Sequence, residues 1–475
     1  MPEPCYQTWI DFHGHLLILG FGGIGQGVLP LLLRHVRMAP EQIAIVSASE
    51  CGAGVAAEYG VAVSLEPLTR DNYRQVLESR LGPGDFLLNL SINVSSLDLI
   101  AWCQDHQVLY LDASIEPWLG GYCDQSVPPA RRTNYALREA ALALRQPQGP
   151  RPTAVLTHGV NPGLVSHFVK QALLDLAAEL LPTAAPPQNR AAWAALARRL
   201  GVRAIHIAER DTHTASQPKL PGEFVNTWSV DGFVGEGCQP AELGWGTHER
   251  HWPRGAHRHT FGCDSAIWLE RPGAAVRVRS WTPLEGPYHG FLITHGEAIS
   301  IADYLTVRDG DDAVYRPTVH YAYHPCDAAL LSLHELAGKG WVMQPRQRQM
   351  ELSSITAGTD ELGVLLLGHA RGAYWYGSRL SIAQARALCP HNNATTLQTC
   401  AGVLAGLVWA LRHPAAGIVE PEEMDFREVL EMALPYLGEM VGIYGDWTPL
   451  EGRHRLFAED VDAQDPWQFK NILVD

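Results

Sequence analysis

The chain has 475 residues, and its 36 basic and 51 acidic side chains give a formal net charge of -15. This charge repels nucleic acid and anionic membranes and favours small cationic ligands, so neither polyanion is an expected partner. The nine scattered cysteines include no C-x-x-C pair and therefore predict neither a disulfide framework nor a zinc site. We find no signal segment and no apolar run of about 18 residues, so the expected location is the cytoplasm.

The N-terminal third alternates between short apolar runs and helical patterns. The predicted strands are 15–20, 43–46, 85–90 and 108–111, and the predicted helices are 28–36, 73–80 and 97–105. Strands that alternate with helices are typical of a doubly wound parallel sheet. Residues 1–150 are therefore predicted to form an α/β domain of the Rossmann type, ending at a stretch rich in Pro and Gly.

A different architecture is predicted for the rest of the chain, since a chain of this length is expected to form two large domains. Helices are predicted at 162–181 and 190–200, and short alternating apolar runs between residues 202 and 364 favour a mixed or largely antiparallel sheet. Residues 151–390 are thus predicted to form an α+β substrate-binding and dimerisation domain. A last helix at 394–411 predicts that residues 391–475 pack back on the first domain.

A glycine-rich loop between the first predicted strand and helix has the pattern G-x-G-x-x-G. Gly20 allows a tight turn, Gly22 lets backbone amides approach a pyrophosphate, and Gly25 permits close helix packing. In this context the pattern predicts dinucleotide binding. Ser47 occupies the position where an acidic residue usually binds the ribose, which leaves NAD and NADP both open, and the absence of an arginine nearby favours NAD.

Taken with this loop, eight further segments make the chain resemble the bacterial homospermidine synthases, within the wider saccharopine-dehydrogenase-like group. The resemblance covers most of the length, and several segments in one order are more specific than a glycine loop. The segments are NLSIN 89–93, SIEPW 114–118, HGVNPG 158–163, NTWS 226–229, GEG 235–237, PAELGWG 240–246, THGE 294–297 and NATTLQ 393–398.

The resemblance implies a redox-neutral use of NAD on putrescine and related diamines or polyamines, and it also implies a homodimer. A primary amine of putrescine is oxidised to an imine, ammonia is released, a second putrescine adds, and the new imine is reduced with the same cofactor. A doubly protonated diamine requires carboxylates that hold it and a base that removes a proton. The site is therefore expected to be acidic.

Residue roles follow from the same resemblance. Glu209 and Glu236 match acidic residues of the substrate site, Glu116 lies on a loop facing the nicotinamide, and Trp228 matches a tryptophan that lies against the cationic intermediate. The residues predicted to act in catalysis are Glu116, Glu209, Trp228, Glu236 and His295, and those predicted to bind substrate are Asn161, Glu297 and Asp360. The residues predicted to bind the cofactor are Gly20, Gly22, Gly23, Ile24, Gly25, Ser47, Asn89, Ser91 and Ser114.

Structural interpretations stay open for these residues. A carboxylate can form a surface ion pair, Trp228 can be a packed core residue, and Asn161 can cap the helix that follows it. His295 can bind an amine in its neutral form, shuttle a proton, or only bond to the backbone. Two other functions also remain possible: a saccharopine or carboxyspermidine type of NAD(P)H-dependent reductive amination, and a non-catalytic nucleotide sensor.

A segment rich in histidine and arginine stands apart from these motifs. It contains His248, His251, His257 and His259, which could converge on a metal ion. Three interleaved arginines would repel a divalent cation, however. We therefore expect no metal and predict a mobile basic loop between residues 248 and 259.

Overall fold

The computed structural model describes residues 6–122, 124–146 and 149–474, which form two compact units. The first unit contains Met1–Asp124, Leu137–Leu164 and Ser381–Gly438. The second contains Gln125–Ala136, Val165–Leu380 and Glu439–Asp475. The chain passes from one unit to the other within the helix Asn134–Leu142.

The first unit is built on a parallel sheet, for which seven strands are found among the described residues. Their spatial order is Ala416–Val419, Arg151–Val155, Leu109–Asp112, Phe86–Asn89, Leu16–Leu19, Ile43–Ser47 and Ala62–Leu65. Numbered along the chain from the opposite edge, this is the order 3-2-1-4-5-6-7, a doubly wound arrangement. Apolar side chains fill both faces of the central strands, as covered parallel strands require. The predicted fold class is confirmed here.

Helices cover this sheet. They are Gly23–His35, Ala53–Glu58, Tyr73–Glu78, Ser96–His106, Ile382–Leu388, Ala394–Arg412 and Phe426–Ala433. Ala394–Arg412 begins at Asn393, whose side chain accepts a hydrogen bond from the backbone of Thr396 at 2.8 Å. By length and composition this helix could cross a membrane, but 89% of its most apolar window is buried inside the protein, which is typical of a core helix.

The second unit is built on a mixed sheet. Its main path is Ala256–Arg258, Ala266–Pro272, Pro240–Gly244, Thr318–His324, Ala204–Asp211, Thr359–Leu367, Ala373–Ser381 and Glu439–Gly445, joined by Arg277–Thr282, Gly286–Phe291 and Leu473–Val474. At the centre, Thr318–His324 and Ala204–Asp211 pair in parallel. The helices are Leu164–Leu180, Arg190–Leu200, Val230–Cys238, Gly296–Tyr304 and Asp327–Gly338, of which the last three interrupt the stretch predicted as a sheet.

The compact units differ from the predicted domain boundaries. Arg151–Val155 adds a strand to the first sheet, so the first unit extends past residue 150. Residues 381–438 return to the first unit, but Glu439–Gly445 pairs antiparallel with Ala373–Ser381 and so brings the C-terminal segment into the second. The end of the first unit and the placement of the C-terminal segment thus both depend on pairing between strands that are distant in sequence.

A close backbone contact in the first unit provides a test of its packing. A Cβ atom added at Gly402, on the helix Ala394–Arg412, would lie 2.0 Å from the carbonyl oxygen of Gly159. Because neither backbone can yield easily, we expect Gly402→Ala to lower the free energy of unfolding by about 1–3 kcal/mol. Thermal or denaturant unfolding of the purified variant measures this loss.

Gly54 provides the matched control, since it is also helical but its added Cβ meets nothing within 4 Å. Gly54→Ala is expected to be neutral or to stabilise by about 0.5–1 kcal/mol through helix propensity. Equal effects of the two substitutions would show that the contact with Gly159 does not constrain the unit.

Candidate active site

The glycine loop of the first unit has the backbone geometry that the pattern predicts. Gly20 has φ +81°, and a Cβ atom there would lie 2.7 Å from the carbonyl oxygen of Leu90. A Cβ atom on Gly25 would lie 2.9 Å from the carbonyl oxygen of Gly20. Side chains at either position would therefore push the loop off the ends of the strands.

The residues of this loop fit a dinucleotide. Gly22 is the N-cap of the helix Gly23–His35, and among the described residues no side chain caps this end. A Cβ atom built on Gly22 meets nothing within 4 Å, so the approach to the helix N-terminus is open. Backbone amides of Gly23 and Ile24 are thus presented to a phosphate with the favourable end of the helix dipole.

The strand ends beside the loop carry the other predicted cofactor residues. The Ser91 hydroxyl donates to Asn89 Oδ1 at 2.5 Å, and Asn89 Nδ2 donates to the Tyr110 hydroxyl at 3.2 Å. The Ser47 hydroxyl donates to the Ser49 carbonyl oxygen at 2.9 Å, and Glu50 is exposed. Ser47 therefore closes its own turn, and the ribose contact stays a prediction.

Glu116 lies in the same unit, buried in a local network. Its Oε1 accepts from the Ser114 hydroxyl at 3.4 Å, and its backbone N–H donates to Ser96 Oγ at 3.0 Å. Asn161 is followed by Pro162, and the next helix begins at Leu164. Asn161 thus lies three residues before the first residue of that helix. The catalytic role of Glu116 and the binding role of Asn161 stay predictions.

In the second unit, two central strands bring an acidic and an aromatic group together. The parallel register places Tyr323 opposite Glu209 and Tyr321 opposite Ile207. The Tyr321 hydroxyl donates to Glu209 Oε2, and the rings of Tyr321 and Tyr323 stack with centroids 5.3 Å apart at 12°. Glu209 is 2% exposed, so its carboxylate lies in a low-dielectric environment where it interacts strongly with a cation.

Trp228 lies beside these two tyrosines and contacts Tyr323. Its Nε1–H donates to the Tyr323 hydroxyl at 3.3 Å, and its ring lies 5.2 Å from that of Phe233. Phe233 in turn meets Tyr323 edge-on, with ring centroids 5.6 Å apart. An indole held in this way presents a fixed face, which is what a cation–π contact requires.

His295 is held between two carboxylates. Its Nε2 lies 3.1 Å from Glu236 Oε2 and its Nδ1 lies 3.2 Å from Glu297 Oε1. Burial by itself would lower the pKa of His295, but the charges of Glu297 and Glu236 outweigh it and raise the pKa to about 10. The imidazole is therefore protonated at neutral pH and donates from both nitrogens, unlike the neutral amine ligand considered from the sequence.

Asp360 joins the acidic side of the unit. It is fully buried on the strand Thr359–Leu367, in register with Asp211 on the neighbouring strand. Burial raises the pKa of Tyr323, and the carboxylates of Glu209, Asp211 and Asp360 raise it further. These three acids therefore lie around one tyrosine hydroxyl.

Sequence reasoning missed several residues of this cluster. Asp211 pairs with His213 Nδ1 at 2.6 Å and accepts from the Thr227 hydroxyl at 2.8 Å, directly before Trp228. Burial alone would raise the pKa of Asp211, but the ion pair with His213 lowers it overall. The alternation of tyrosines at 321 and 323 on a buried strand was the available signal, since residues two apart share one face.

The structure thus brings together six of the predicted site residues within the second unit. These are Glu209, Trp228, Glu236, His295, Glu297 and Asp360. Glu116, Asn161 and the cofactor residues belong to the first unit. The functional roles of all of them remain predictions.

The segment rich in histidine and arginine does not gather its histidines at one point. His251 pairs with Asp462 at 2.8 Å, His257 with Glu270 at 3.0 Å, and His259 with Glu242 at 3.3 Å. Within the described residues no group of three or more His, Cys, Asp or Glu side chains suits a metal ion. Each of these three histidines therefore lies beside a different carboxylate.

Comparison with known proteins identifies the family of this chain. The saccharopine dehydrogenase C-terminal domain family matches residues 159–446, and the saccharopine dehydrogenase NADP binding domain family matches residues 16–155. A homospermidine synthase of Blastochloris viridis is 53% identical over 473 residues, which are 98% of this chain and 99% of that protein. A homospermidine synthase of Mesorhizobium japonicum is 49% identical, over 100% of this chain and 99% of that protein. The chain belongs to the homospermidine synthase family.

Solved structures extend this result. A homospermidine synthase of Legionella pneumophila, crystallised with NAD, superposes with a TM-score of 0.92 at 50% identity, covering 98% of both chains. A saccharopine dehydrogenase of Saccharomyces cerevisiae shares the fold with a TM-score of 0.50 at 10% identity over 91% of this chain. The predicted family, its fold class and its enzymatic nature are therefore confirmed.

The charge of His295 is directly testable. We expect NMR of histidine-labelled protein to show His295 still protonated at pH 8, whereas burial lowers the pKa of His320 to about 4 and leaves that residue neutral. Because the folded pKa lies above the usual value near 6.5, this group adds stability below about pH 6.5 and loses it as pH rises towards 10.

Glu297→Gln removes one of the two charges that hold the proton. We therefore expect the pKa of His295 to fall in this variant, with the His320 signal unchanged as an internal reference. A His295 signal that titrates identically in both proteins would contradict the assignment of the raised pKa to its carboxylate partners.

Proposed function

We propose that this protein converts two putrescines to homospermidine and ammonia with NAD that is regenerated in each turnover. Membership of the homospermidine synthase family and the relative solved with NAD support this function and this cofactor. The observation that carries the proposal is the buried acidic and aromatic cluster of the second unit, where the carboxylates of Glu209 and Glu236 and the indole of Trp228 offer what a dication requires.

Bound NAD supplies the acceptor of a hydride in the first half of the reaction and the donor of that hydride in the second. Gly22 and the N-terminus of the helix Gly23–His35 would bind its pyrophosphate. Asn89, Ser91 and Ser114, at the ends of neighbouring strands, orient the rest of the molecule. Residues of the first unit would therefore hold the coenzyme.

The residues assigned to the substrate bind its positively charged amino groups. Glu209 and Asp360 hold an ammonium group of putrescine, and Glu236 and Glu297 attract a second cation that competes with the imidazolium of His295. An amine must be neutral before hydride leaves its carbon, so a carboxylate of the cluster accepts its proton. Glu116 keeps its predicted catalytic role and Asn161 its predicted role in substrate binding.

The bonds balance over the two halves. Loss of a hydride from carbon and a proton from nitrogen converts the primary amine into an imine. The amino group of a second putrescine attacks this carbon, the carbon–nitrogen bond to the first amine breaks, and ammonia leaves. Return of the hydride to carbon and of a proton to nitrogen gives a secondary amine. Trp228 stabilises the cationic iminium stage through its ring.

The charged groups of the cluster argue against a reductive amination of the saccharopine or carboxyspermidine type. Those substrates carry carboxylates, for which arginines would be the expected partners. Here the charged groups named above, among the described residues, are carboxylates and the two histidines paired with them, His295 and His213. The presence of all the predicted acidic residues also argues against a nucleotide sensor that has lost its chemistry.

The decisive experiment incubates the purified protein with putrescine and a catalytic amount of NAD, followed by mass analysis of the amines. We expect homospermidine in excess of the NAD supplied, together with an equal amount of ammonia. NADH in stoichiometric amounts, or no homospermidine, would reject the redox-neutral reaction. NADP in place of NAD, tested in parallel, resolves the coenzyme preference that Ser47 leaves open.

The same proposal includes a homodimer in the cytoplasm that binds neither nucleic acid nor membrane. The resemblance carries the dimer, and the net charge of -15 supports the absence of polyanion binding. Light scattering on the eluting protein distinguishes a dimer from a monomer of 52.2 kDa.

A further inference from the structure

Tyr321 contacts both charged groups of the second unit. It lies on the central strand Thr318–His324 and is 3% exposed. Its hydroxyl donates to Glu209 Oε2, while its ring lies 4.4 Å from the imidazole of His295 at 36°. The ring of Tyr323 stacks with that of Tyr321, with centroids 5.3 Å apart. Tyr321 therefore contacts both the carboxylate of Glu209, on the strand Ala204–Asp211, and the imidazolium of His295.

Each contact has a definite electrostatic effect. A hydrogen bond donated to a carboxylate favours its charged form and fixes which oxygen faces a ligand. The face of a phenol ring attracts a cation, so the ring stabilises the protonated His295. The Glu209 carboxylate accepts from Tyr321 and acts electrostatically on Tyr323 and on Tyr288, and Asp211 and Asp360 act on the same Tyr323 hydroxyl.

We propose that Tyr321 is a positioning residue for the reaction, whose hydroxyl keeps Glu209 ionised and oriented towards the substrate ammonium group. This inference rests on the proposed function, since Glu209 is there a substrate ligand. The phenol itself donates no atom to product. Its effect is on how strongly Glu209 holds an amine and on the lowest pH at which it does so.

The test compares wild type with Tyr321→Phe, which keeps the ring beside His295 and removes the hydroxyl. We expect kcat/KM for putrescine to fall about tenfold at pH 7 and the acid limb of its pH profile to move to higher pH. NAD affinity stays unchanged, because the coenzyme residues belong to the first unit. A wild-type profile in the variant would overturn the proposal.

Tyr374→Phe is the matched control. Tyr374 is 5% exposed in the same unit, and its hydroxyl donates to a different carboxylate, that of Asp175, at 2.8 Å. Both substitutions therefore remove a buried tyrosine hydroxyl from a carboxylate and are expected to reduce stability alike. Only the variant at Tyr321 should alter the pH profile, and equal profiles would assign Tyr321 a structural role.

A double-mutant cycle identifies the route of the effect. Because the hydroxyl acts through Glu209, Tyr321→Phe should add little to the loss already caused by Glu209→Gln. Fully additive losses would overturn the proposal. If Tyr321→Phe does not fold, 3-fluorotyrosine at this position keeps ring and hydroxyl with a more acidic phenol, and the acid limb should then move to lower pH; an unmoved limb is contrary to the inference.

The wild-type enzyme separates the two hypotheses. Wild-type protein that makes no homospermidine contradicts the proposed function itself. An active wild type whose variant at Tyr321 behaves like the variant at Tyr374 contradicts only the role of the tyrosine.

Discussion

Glu209→Gln is expected to lower kcat/KM for putrescine by about 10²- to 4 × 10³-fold. The carboxylate is 2% exposed and lies on a central strand, so an ammonium group bound to it has little water to replace the lost charge. Removing one partner of a buried ion pair costs about 3–5 kcal/mol, and each 1.4 kcal/mol corresponds to about tenfold. Steady-state kinetics at saturating NAD measure the effect.

The control for Glu209→Gln is Glu361→Gln in the same sheet. Glu361 is 1% exposed, lies 3.5 Å from Arg379, and accepts from the backbone of Leu284 at 2.9 Å. It is a buried acid with partners of its own. A comparable loss of kcat/KM in both variants would mean that the effect of Glu209 is one of folding and not of substrate binding.

Trp228→Ala is expected to slow turnover about 30-fold while NAD affinity changes little. A desolvated cation–π contact contributes about 2 kcal/mol, and here it is assigned to the iminium stage, so its loss lowers kcat more than it raises KM. Presteady-state and steady-state rates with putrescine, together with NAD titration, check this outcome.

Trp228→Phe separates the ring from its hydrogen bond. It keeps an aromatic face but loses the donor to the Tyr323 hydroxyl at 3.3 Å. We expect turnover between those of wild type and the alanine variant. Equal losses of NAD affinity and turnover in Trp228→Ala would be inconsistent with contact to the cationic intermediate.

Charge at this site is organised as opposing groups and not as acids alone. Glu236 and Glu297 hold His295 as an imidazolium. These two carboxylates therefore already have a cation beside them before a substrate binds. A diamine that binds these carboxylates therefore competes with an internal cation. This arrangement lets a buried acidic cluster exist without substrate at a smaller electrostatic cost.

The sequence by itself determined the features that depend on near neighbours. The helix Arg190–Leu200 has the predicted bounds because Asn189 caps one end and Gly201, in the left-handed conformation, ends the other. The glycine loop was likewise predictable from its G-x-G-x-x-G pattern, and the parallel strands from short apolar runs that alternate with helical patterns. The family followed from segments such as NTWS 226–229 in one order along the chain.

Only the tertiary structure decided which side chains meet. Tyr321 and Glu209 are 112 positions apart, and Glu236 and His295 are 59 apart, so their contact depends on strand register and helix placement and not on local pattern. The protonated state of His295 and the return of Glu439–Gly445 to the second sheet were likewise invisible in the sequence. The physical reason is that an ionisation state or a strand pair is set by the partner across the fold.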